Sequence, residues 1–335
     1  MILITGATGL LGSYIARLLV SRGEQVRGLR RSSSDLSLLG DAVKQIEWVE
    51  GDVTDVLSLD EAMQGVSRIY HCAALISMQP SHLDSMLKTN TEGTANVVNA
   101  ALDAGIDKLL YVSSIAAFGR PQPEGVLIDE NLDVKDSTDN FSYYRSKLYA
   151  EREVWRGIAE GLPAAIICPS TILGGGFWNV TPNNIFAQVY KGVPFYTTGT
   201  NAFVDVRDVA AIALLLMDSD IVSEKYIVSA ENCTFHELMN LTADALQKKR
   251  PAIAIHKYLA AIAWRYESVK AVITKSTPLL TAESAVMAQS DFRYSNEKIC
   301  QTLSYQFRPL SETITDVAKL YLQSLKEKKG YGIIN

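Results

Sequence analysis

The chain has 335 residues, of which 47% are apolar and 21% charged, and its formal net charge is −5. These values are typical of a globular protein that can bury the core of one large domain or of two interlocked smaller ones. Its Lys and Arg residues are scattered rather than clustered, so we expect neither nucleic acid nor a membrane surface as a partner.

The cysteines and the apolar segments bear on the compartment. The four cysteines lie far apart and form no C-x-x-C pair, which fits neither a zinc site nor a disulfide framework, so we expect reduced thiols and no metal. The sequence is strand-like from Met1 onward, which leaves no room for a secretion signal. The apolar helix predicted around residues 209–217 is too short to span a bilayer. We therefore expect a cytoplasmic protein.

Strand and helix signals alternate regularly up to about residue 170. Short β-rich apolar runs predict strands at Met1–Thr5, Gln25–Leu29, Ile46–Glu50, Arg68–Cys72, Lys108–Ser113 and Ala164–Cys168. Longer runs of helical period predict helices at Leu10–Arg22, Ser81–Ala104 and Phe141–Glu160. This alternation predicts an α/β fold with a doubly wound parallel sheet, the Rossmann arrangement.

After about residue 170 the rhythm changes. Glycines and prolines punctuate an irregular region, which is followed by a strand-and-helix unit at Ala202–Met217 and a further strand at Val222–Ala230. The remainder is mostly helical in period, and the end of the chain lacks an apolar face. The predicted boundaries are 1–172 for the doubly wound domain, 203–230 for a segment that returns to it, 173–202 and 231–327 for a smaller, mostly helical C-terminal substrate lobe, and 328–335 for a loosely held tail.

A glycine triplet follows the first predicted strand and opens the first predicted helix. Glycines at these places allow a tight turn, a close approach of the backbone to phosphate, and close packing of the helix. The free N–H groups of the helix N-terminus would then face the pyrophosphate of a dinucleotide. The alternative is a turn without a ligand, which the position at the start of a βαβ unit disfavours. The predicted cofactor-binding residues of this turn are Thr5, Gly6, Thr8, Gly9, Leu10, Leu11 and Gly12.

The end of the second predicted strand bears on which dinucleotide binds. An NAD enzyme usually offers a carboxylate there to the ribose hydroxyls, but this strand runs into Arg30 and Arg31, with no acidic residue before Asp35. Guanidinium groups attract a 2′-phosphate, whereas a carboxylate would repel it. We therefore predict NADP(H) rather than NAD(H). The alternative is two exposed arginines on a loop.

Two further strand ends supply candidate cofactor contacts. The carboxylate of Asp52, after the third strand, would reach the adenine amino group. Small residues after the fourth strand would let the backbone approach the dinucleotide, while His71 is expected to be structural. The carboxyl ends of strands are where open α/β sheets bind ligands. The residues assigned to the cofactor here are Asp52, Val53, Cys72, Ala73 and Ala74.

A tyrosine and a lysine, Tyr143 and Lys147, lie one helical turn apart and follow Ser114, which ends the fifth strand. Reduction of a carbonyl requires a proton donor at oxygen while hydride arrives at carbon. The Lys147 ammonium, together with an oxidised nicotinamide, would lower the pKa of the Tyr143 phenol, and the Ser114 hydroxyl would orient the carbonyl. The alternative for Ser114 is a cap at the strand end.

Together the motifs TGATGLLG, GDV at Gly51–Val53, YVSSIAAFG at Tyr111–Gly119, YYRSK and FVDVRDVA at Phe203–Ala210 resemble those of the extended short-chain dehydrogenase/reductases. This family is also known as the NAD-dependent epimerase/dehydratase superfamily. Within it, the chain is most similar to the dihydroflavonol reductase-like group, near the 3β-hydroxysteroid dehydrogenases. The resemblance covers nearly the whole chain, and its motifs indicate the superfamily more strongly than the substrate.

The resemblance implies roles for individual residues. It makes Ser114, Tyr143 and Lys147 catalytic, and Asn90 matches a family asparagine near the nicotinamide that we add to them. Cys168 stands where many members have arginine, and the stretch Thr198–Ala202 lacks an arginine that commonly helps nucleotide-sugar enzymes bind diphosphate. Residues placed at the nicotinamide end of the cofactor are Ser113, Tyr143, Lys147, Pro169 and Ser170.

The expected function is that of an NADP(H)-dependent reductase or dehydrogenase that interconverts a ketone or aldehyde and its alcohol. One alternative is a nucleotide-sugar epimerase or dehydratase with tightly bound NAD(P), and another is a non-catalytic NADP-binding sensor. The expected partner is a small carbonyl or alcohol substrate. The resemblance also makes a helix-paired homodimer a candidate assembly, and no feature of the sequence decides it.

Overall fold

Seven parallel strands form the central sheet, in a computed structural model that describes residues 1–119, 125–132, 141–180, 182–256, 264–265 and 281–334. Within these residues the strands are β1 (Ile2–Thr5), β2 (Val26–Arg30), β3 (Ile46–Glu50), β4 (Arg68–His71), β5 (Lys108–Val112), β6 (Leu127–Ile128), β7 (Ala164–Pro169), β8 (Thr171–Leu173), β9 (Phe195–Thr197), β10 (Thr200–Asp205), β11 (Glu224–Val228), β12 (Glu231–Thr234), β13 (Ile253–Ile255) and β14 (Arg293–Tyr294). The helices are α1 (Leu10–Ser21), α2 (Val56–Met63), α3 (Leu83–Met86), α4 (Gly93–Ala104), α5 (Ser142–Ala159), α6 (Asn184–Tyr190), α7 (Val206–Asp218), α8 (Phe235–Ala245), α9 (Ala282–Met287), α10 (Glu297–Leu303) and α11 (Leu310–Lys326). None of the helices in these ranges combines the length and the apolar character needed to cross a membrane.

The central sheet has the strand order β3-β2-β1-β4-β5-β7-β11, and all of its neighbouring strands run parallel. Helices cover both of its faces, which is why its strands are apolar on both sides. Val97 of α4 and Val154 of α5 are fully buried on one face, and Ile15 of α1 and Val209 of α7 on the other. The strand order reverses between β1 and β4, and this reversal opens the crevice in which such sheets bind ligands.

The predicted fold class is confirmed, with differences in detail. All six predicted strands are present, and the seventh, β11, lies within the segment Val222–Ala230. The helix predicted at Ser81–Ala104 is interrupted, because Leu87–Glu92 forms a π-helix between α3 and α4. The strand expected at the start of the unit Ala202–Met217 is present as β10, but it pairs with β8 and β12 in a separate three-stranded sheet.

The smaller lobe has an apolar core of its own. Leu173, Phe186 and Ile314 are fully buried in it, and they come from β8, α6 and α11. One part of the predicted lobe range 231–327 lies elsewhere: Ile299 of α10 is fully buried in the core of the doubly wound domain. The boundary expected from sequence was wrong there, because the apolar side of α10 packs beside β11 rather than on the lobe.

The C-terminal residues 328–335, expected to be a loosely held tail, are docked as far as the structure describes them. The carbonyl oxygen of Gly330 accepts a hydrogen bond from Trp178 N at 3.0 Å, and Gly332 N donates to the Gly176 carbonyl oxygen at 3.0 Å. The expectation was wrong because backbone hydrogen bonds hold this segment, and these need no periodic apolar face in the sequence.

Candidate functional site

The turn between β1 and α1 requires glycine for geometric reasons. Gly6 has φ of +70°, in the left-handed region that favours glycine. A Cβ on Gly12 would lie 2.1 Å from the Gly6 carbonyl oxygen, so the helix can start here only without one. A Cβ on Gly6 would lie 2.7 Å from Ala73 N, so glycine also lets the ends of β1 and β4 approach each other.

This turn fits a phosphate group. Gly9, the N-cap residue of α1, is exposed, has no side chain to cap the helix, and is followed by no acidic residue in the first turn. The first N–H groups of α1 and the positive end of its dipole are therefore available to an anion. Thr8 and Leu10 flank Gly9 and are partly buried, while Thr5 and Leu11 are buried beneath them.

The two arginines at the end of β2, Arg30 and Arg31, differ in their exposure. Arg31 is exposed, whereas Arg30 is half-buried and its Nε has no hydrogen-bond partner among the described residues. The Arg30 guanidinium lies 5.8 Å from the centroid of the Trp48 ring. The nearest acidic residue in sequence, Asp35, turns away to accept a hydrogen bond from Ser37 N at 2.8 Å. The end of β2 therefore offers two guanidinium groups to a phosphate, with Glu50 next to Arg30 on β3.

The residues after β3 have partly structural roles. Asp52 Oδ1 accepts hydrogen bonds from Thr54 N and Thr54 Oγ1, both at 2.9 Å, and so closes the turn that follows the strand. Val53 is buried against Gly93, where a Cβ would lie 2.6 Å from a Val53 methyl carbon. This close packing brings the start of α4 to the carboxyl end of the sheet.

The segment after β4 lies directly beside the glycine turn. Cys72 N donates to the Thr5 carbonyl oxygen at 3.1 Å, and Ala73 N donates to Thr5 Oγ1 at 3.3 Å. Ala74 continues the segment and is half-buried, as are the other two. Small side chains therefore lie next to the glycine turn, and their contact with a cofactor stays a prediction.

His71 is the centre of a buried hydrogen-bond chain beneath the crevice. Its Nδ1 lies 2.7 Å from Thr5 Oγ1, and its Nε2 lies 2.9 Å from Thr94 Oγ1. Thr94 donates its hydroxyl hydrogen to the Asn90 carbonyl oxygen, so it accepts from His71 Nε2–H, and His71 Nδ1 accepts from Thr5. Burial, and next the positive charge of Lys147, lower the pKa of His71 to about 3. The ring is neutral and structural.

The structure brings the predicted catalytic side chains together at the carboxyl end of β5. Ser114 caps the short 3₁₀ turn Ile115–Phe118, and its Oγ accepts from Ala116 N at 3.1 Å. As a cap, Ser114 Oγ uses only a lone pair, so its hydroxyl hydrogen is still available for donation. Ser114 also forms a hydrogen bond with Tyr143. Lys147, one turn further along α5, donates from Nζ to the Val112 carbonyl oxygen at 3.0 Å.

Burial controls the electrostatics of the tyrosine and the lysine. It raises the pKa of the Tyr143 phenol to about 12, against the opposing effect of the hydrogen bond with Ser114. It lowers the pKa of Lys147 to about 8. At neutral pH the phenol is therefore protonated and the lysine is mostly charged. The sequence predicted that Lys147 together with an oxidised nicotinamide would lower the pKa of Tyr143. In the structure burial raises this pKa, and the group that opposes the rise is Ser114.

Asn90 lies in the π-helix, and its amide is used within the protein. Oδ1 accepts from Leu75 N at 2.7 Å, while Nδ2 donates to the Leu75 carbonyl oxygen at 2.9 Å and to Ser146 Oγ at 3.0 Å. Ser146 in turn donates to the Tyr143 carbonyl oxygen at 2.8 Å. The catalytic role that the resemblance implies for Asn90 stays a prediction. In the structure these contacts tie the loop after β4 to α5.

Two further predicted cofactor residues lie at the end of β7. Pro169 ends that strand, and Ser170 N donates to the Val228 carbonyl oxygen at 3.0 Å. Ser170 Oγ is buried and has no partner among the described residues, so a polar group of a bound ligand would satisfy it. In contrast, the Ser113 hydroxyl donates to Glu151 at 2.8 Å, which leaves only the backbone of Ser113 for a cofactor.

Three residues near the site were missed in the sequence analysis. Glu151 accepts a hydrogen bond from the Ser113 hydroxyl. Ser146, on α5, accepts a hydrogen bond from Asn90. Glu283, in the smaller lobe, accepts a hydrogen bond at the start of α5. The spacing of four residues from Lys147 was a usable signal for Glu151. Glu283 had none, because it lies 141 residues from its partner in sequence.

Enzymes that bind nicotinamide dinucleotides on a doubly wound sheet place a glycine turn and their reacting side chains at the carboxyl ends of strands, as this protein does. The protein is an NAD(P)-dependent enzyme of that class. A model of the NAD dependent epimerase/dehydratase family matches residues 2–229, more than half of the chain, and the chain belongs to that family. This confirms the resemblance drawn from the sequence motifs.

Individual relatives are similar over most of their length. The chain is 32% identical over 257 residues to sterol demethylase protein B of Methylococcus capsulatus, an alignment covering 76% of each chain. It is 29% identical over 323 residues to a putative dihydroflavonol 4-reductase of Synechocystis sp., covering 93% of this chain and 92% of that protein. The solved structure of gox2253 superposes with a TM-score of 0.81 at 33% identity, covering 96% of this chain and 98% of that one.

Proposed function

We propose that the protein reduces a ketone or aldehyde with NADPH, or catalyses the reverse oxidation of the alcohol. The observation that carries this proposal is the position of the Ser114 hydroxyl, the Tyr143 phenol and the Lys147 ammonium at one strand end beside the glycine turn. The name of the Synechocystis relative, a putative dihydroflavonol 4-reductase aligned over 93% of this chain, supports carbonyl reduction.

The roles of the three side chains follow from their chemistry. Reduction breaks the π bond of the carbonyl, adding hydride to carbon and a proton to oxygen. A bound nicotinamide would supply the hydride. Tyr143 supplies the proton from Oη, and the pKa of about 12 keeps that proton in place until the oxygen becomes basic. The Lys147 charge stabilises the phenolate left behind, and the Ser114 hydroxyl donates to the developing alkoxide, an effect of about a hundredfold or more.

The proposal of NADP(H) over NAD(H) rests on the end of β2. Arg30 and Arg31 are the cationic groups there, beside Glu50 on the neighbouring strand, and the Arg30 Nε is buried without a partner among the described residues. A 2′-phosphate would supply charge-assisted hydrogen bonds to these guanidinium groups. The Asp35 carboxylate, which would repel that phosphate, is occupied with Ser37 N.

We propose a small, moderately hydrophobic carbonyl compound as the substrate. The stretch Thr198–Ala202 has no arginine for a diphosphate, and Thr198 Oγ1 donates to Gln289 Oε1 at 3.0 Å. Without a cation there, a nucleotide sugar would lose a charge-assisted contact. A homodimer remains the candidate assembly, on the family resemblance alone.

The test is loss of NADPH absorbance across a panel of aromatic and aliphatic ketones, aldehydes and keto-steroids, with NADH in parallel. Tyr143→Phe should abolish turnover and leave NADPH binding unchanged. Tyr144→Phe is the matched control, because the neighbouring Tyr144 hydroxyl is buried and makes no hydrogen bond with any described residue. Full activity of Tyr143→Phe would contradict the proposed chemistry.

Two other results would point to the alternatives. Cofactor that copurifies tightly, with no NADPH consumed on any carbonyl, would favour the internal redox cycle of a nucleotide-sugar epimerase or dehydratase. Reversible NADPH binding with no turnover on either substrate class would favour a cofactor sensor.

A further inference from the structure

We propose that Glu151 is a positioning residue of the active site, which fixes the end of β5 and keeps Lys147 in its ammonium form. Glu151 lies on α5 one turn after Lys147, is only 4% exposed, and belongs to no motif used above. The inference rests on the proposed function for its catalytic consequence, while its central measurement requires no turnover.

Glu151 and Lys147 both hold the end of β5 by hydrogen bonds. Lys147 Nζ donates to the Val112 carbonyl oxygen at 3.0 Å, and Glu151 Oε2 accepts from Ser113 Oγ at 2.8 Å. Two side chains one turn apart on α5 thus hold two consecutive residues at the end of β5. The next residue is Ser114, whose hydroxyl must point at the substrate oxygen. Removing the Glu151 contact frees this strand end to shift relative to Tyr143.

Several titratable groups surround Lys147. The groups that face its ammonium are the thiols of Cys168 and Cys72, the Glu151 carboxylate, the ring of Tyr111 at 5.3 Å, and the imidazole of His71.

Most of these groups are neutral near pH 7. Burial raises the pKa of Cys72 to about 12 and that of Cys168 well above its ordinary value, and burial lowers the pKa of His71 to about 3. Of the groups that oppose the desolvation of Lys147, the two thiols are therefore uncharged, and the third is Glu151, which carries the negative charge of its ion pair with Lys225. That charge favours the ammonium form.

A counter-ion stabilises Glu151 in its buried position. Lys225 Nζ of β11 lies 2.8 Å from Glu151 Oε1, with side chains 15% and 5% exposed. Trp155 Nε1 lies 3.4 Å from the same oxygen, the Cys168 thiol lies 3.8 Å from Oε2, and the Glu130 carboxylate also faces Cys168. A buried charge is tolerated when it is paired and hydrogen-bonded in this way.

The test measures the pKa of Lys147 directly. Protein labelled with ¹³C at lysine Cε is titrated by NMR, and the Lys147 signal is assigned by its loss in Lys147→Met. Glu151→Gln, which keeps the shape and removes the charge, should lower the pKa of Lys147 from about 8 by about one unit. Equal titration of Lys147 in wild type and Glu151→Gln would overturn the proposal, whatever the protein catalyses.

Two variants separate charge from position. Ser113→Ala removes the hydrogen bond and keeps the carboxylate, so Lys147 should titrate as in wild type while kcat falls. Glu47→Gln is the matched control, because it loses an ion pair with Arg27, at 2.8 Å, near the edge of the sheet farthest from β11. Glu47→Gln should change neither the pKa of Lys147 nor kcat. A shift of the Lys147 pKa in this variant equal to that in Glu151→Gln would overturn the proposal.

The charge on Glu151 should also affect the pH dependence of kcat/KM. Where carbonyl reduction is observed, the basic limb of kcat/KM in Glu151→Gln should move to lower pH by about the shift of the Lys147 titration. If Glu151→Gln does not fold because Lys225 is left uncompensated, Glu151→Gln/Lys225→Gln removes both charges. Lys147 should still titrate lower in it, since Glu151 is one turn away on the same helix. An unshifted Lys147 in that double variant would contradict the proposal.

Discussion

Glu283 Oε1 accepts hydrogen bonds from both the backbone N–H and the hydroxyl of Ser142, at 3.2 and 3.1 Å. Ser142 is the first residue of α5 and precedes Tyr143, while Glu283 is in the first turn of α9 in the smaller lobe. Phe141, the N-cap residue of α5, has no side-chain acceptor of its own. The Glu283 carboxylate therefore caps α5, the helix that carries Tyr143. Its negative charge at the N-terminus also stabilises α5 through the helix dipole.

We expect Glu283→Ala to lower stability and kcat together. Loss of a helix cap costs about 1 kcal/mol, and the freed start of α5 would displace Tyr143 by enough to reduce kcat several-fold. Glu283→Gln keeps an acceptor and should retain most of the activity. Glu312→Ala, at an exposed acidic position in the first turn of α11, is the control. Wild-type kcat in Glu283→Ala would show that the cap does not position Tyr143.

The difference between predicted and missed residues follows from sequence distance. The glycine turn, Tyr143 and Lys147 could be predicted because each depends on spacing within one strand-helix unit. Glu151 is defined by partners 38 and 74 residues away, and Glu283 by a partner 141 residues away. The four-residue spacing from Lys147 places Glu151 on the same side of the helix, but one sequence contains no periodic signal for its contacts with Ser113 and Lys225 or for that of Glu283, since these depend on how the elements pack.

The cofactor site gives a second prediction. Arg30→Ala should raise the Kd for NADPH about tenfold or more and leave the Kd for NADH nearly unchanged, because only NADPH has the 2′-phosphate that pairs with a guanidinium. The measurement is fluorescence titration with both cofactors. Arg22→Ala removes an exposed cation that pairs with Asp218 instead, and it serves as the control. An equal loss of affinity for the two cofactors would contradict selection by Arg30.

A third prediction concerns stability and pH. The folded protein holds the pKa of His71 near 3 through burial, whereas an unfolded chain has about 6.5. Below pH 6.5 the unfolded state binds a proton at His71 and the folded state does not. The stabilisation that His71 contributes is therefore complete above pH 6.5 and is lost progressively as pH falls toward 3. Between pH 7 and pH 5 the loss from this group is about 2 kcal/mol.

His71→Gln should flatten that dependence, although the variant is less stable at pH 7 because the links to Thr5 and Thr94 change. The measurement is the free energy of unfolding in urea at pH 5, 6 and 7. His82→Gln, at an exposed histidine, should keep the wild-type slope. A His71→Gln slope equal to that of wild type would mean that folding does not lower the pKa of His71.

The docked C-terminal segment gives the last prediction, and two glycines in it form a matched pair. A Cβ on Gly332 would lie 2.6 Å from Leu320 Cγ and 2.7 Å from Trp178 Cζ2, while a Cβ on Gly330 would meet nothing within 4 Å. Gly332→Ala should therefore destabilise the protein by about 1–3 kcal/mol, the usual cost of overpacking, and Gly330→Ala should be nearly neutral.

The measurements for this pair are the midpoint of thermal unfolding and the rate of trypsin cleavage after Lys329. Docking protects that bond, because Gly332 N is hydrogen-bonded to Gly176 and Arg17 Nη2 donates to the Ile334 carbonyl oxygen at 3.1 Å. Gly332→Ala should unfold at lower temperature and be cut faster, since the clash forces the segment off this surface. Equal midpoints and equal cleavage rates in the two variants would show that the segment does not depend on close packing against Leu320 and Trp178.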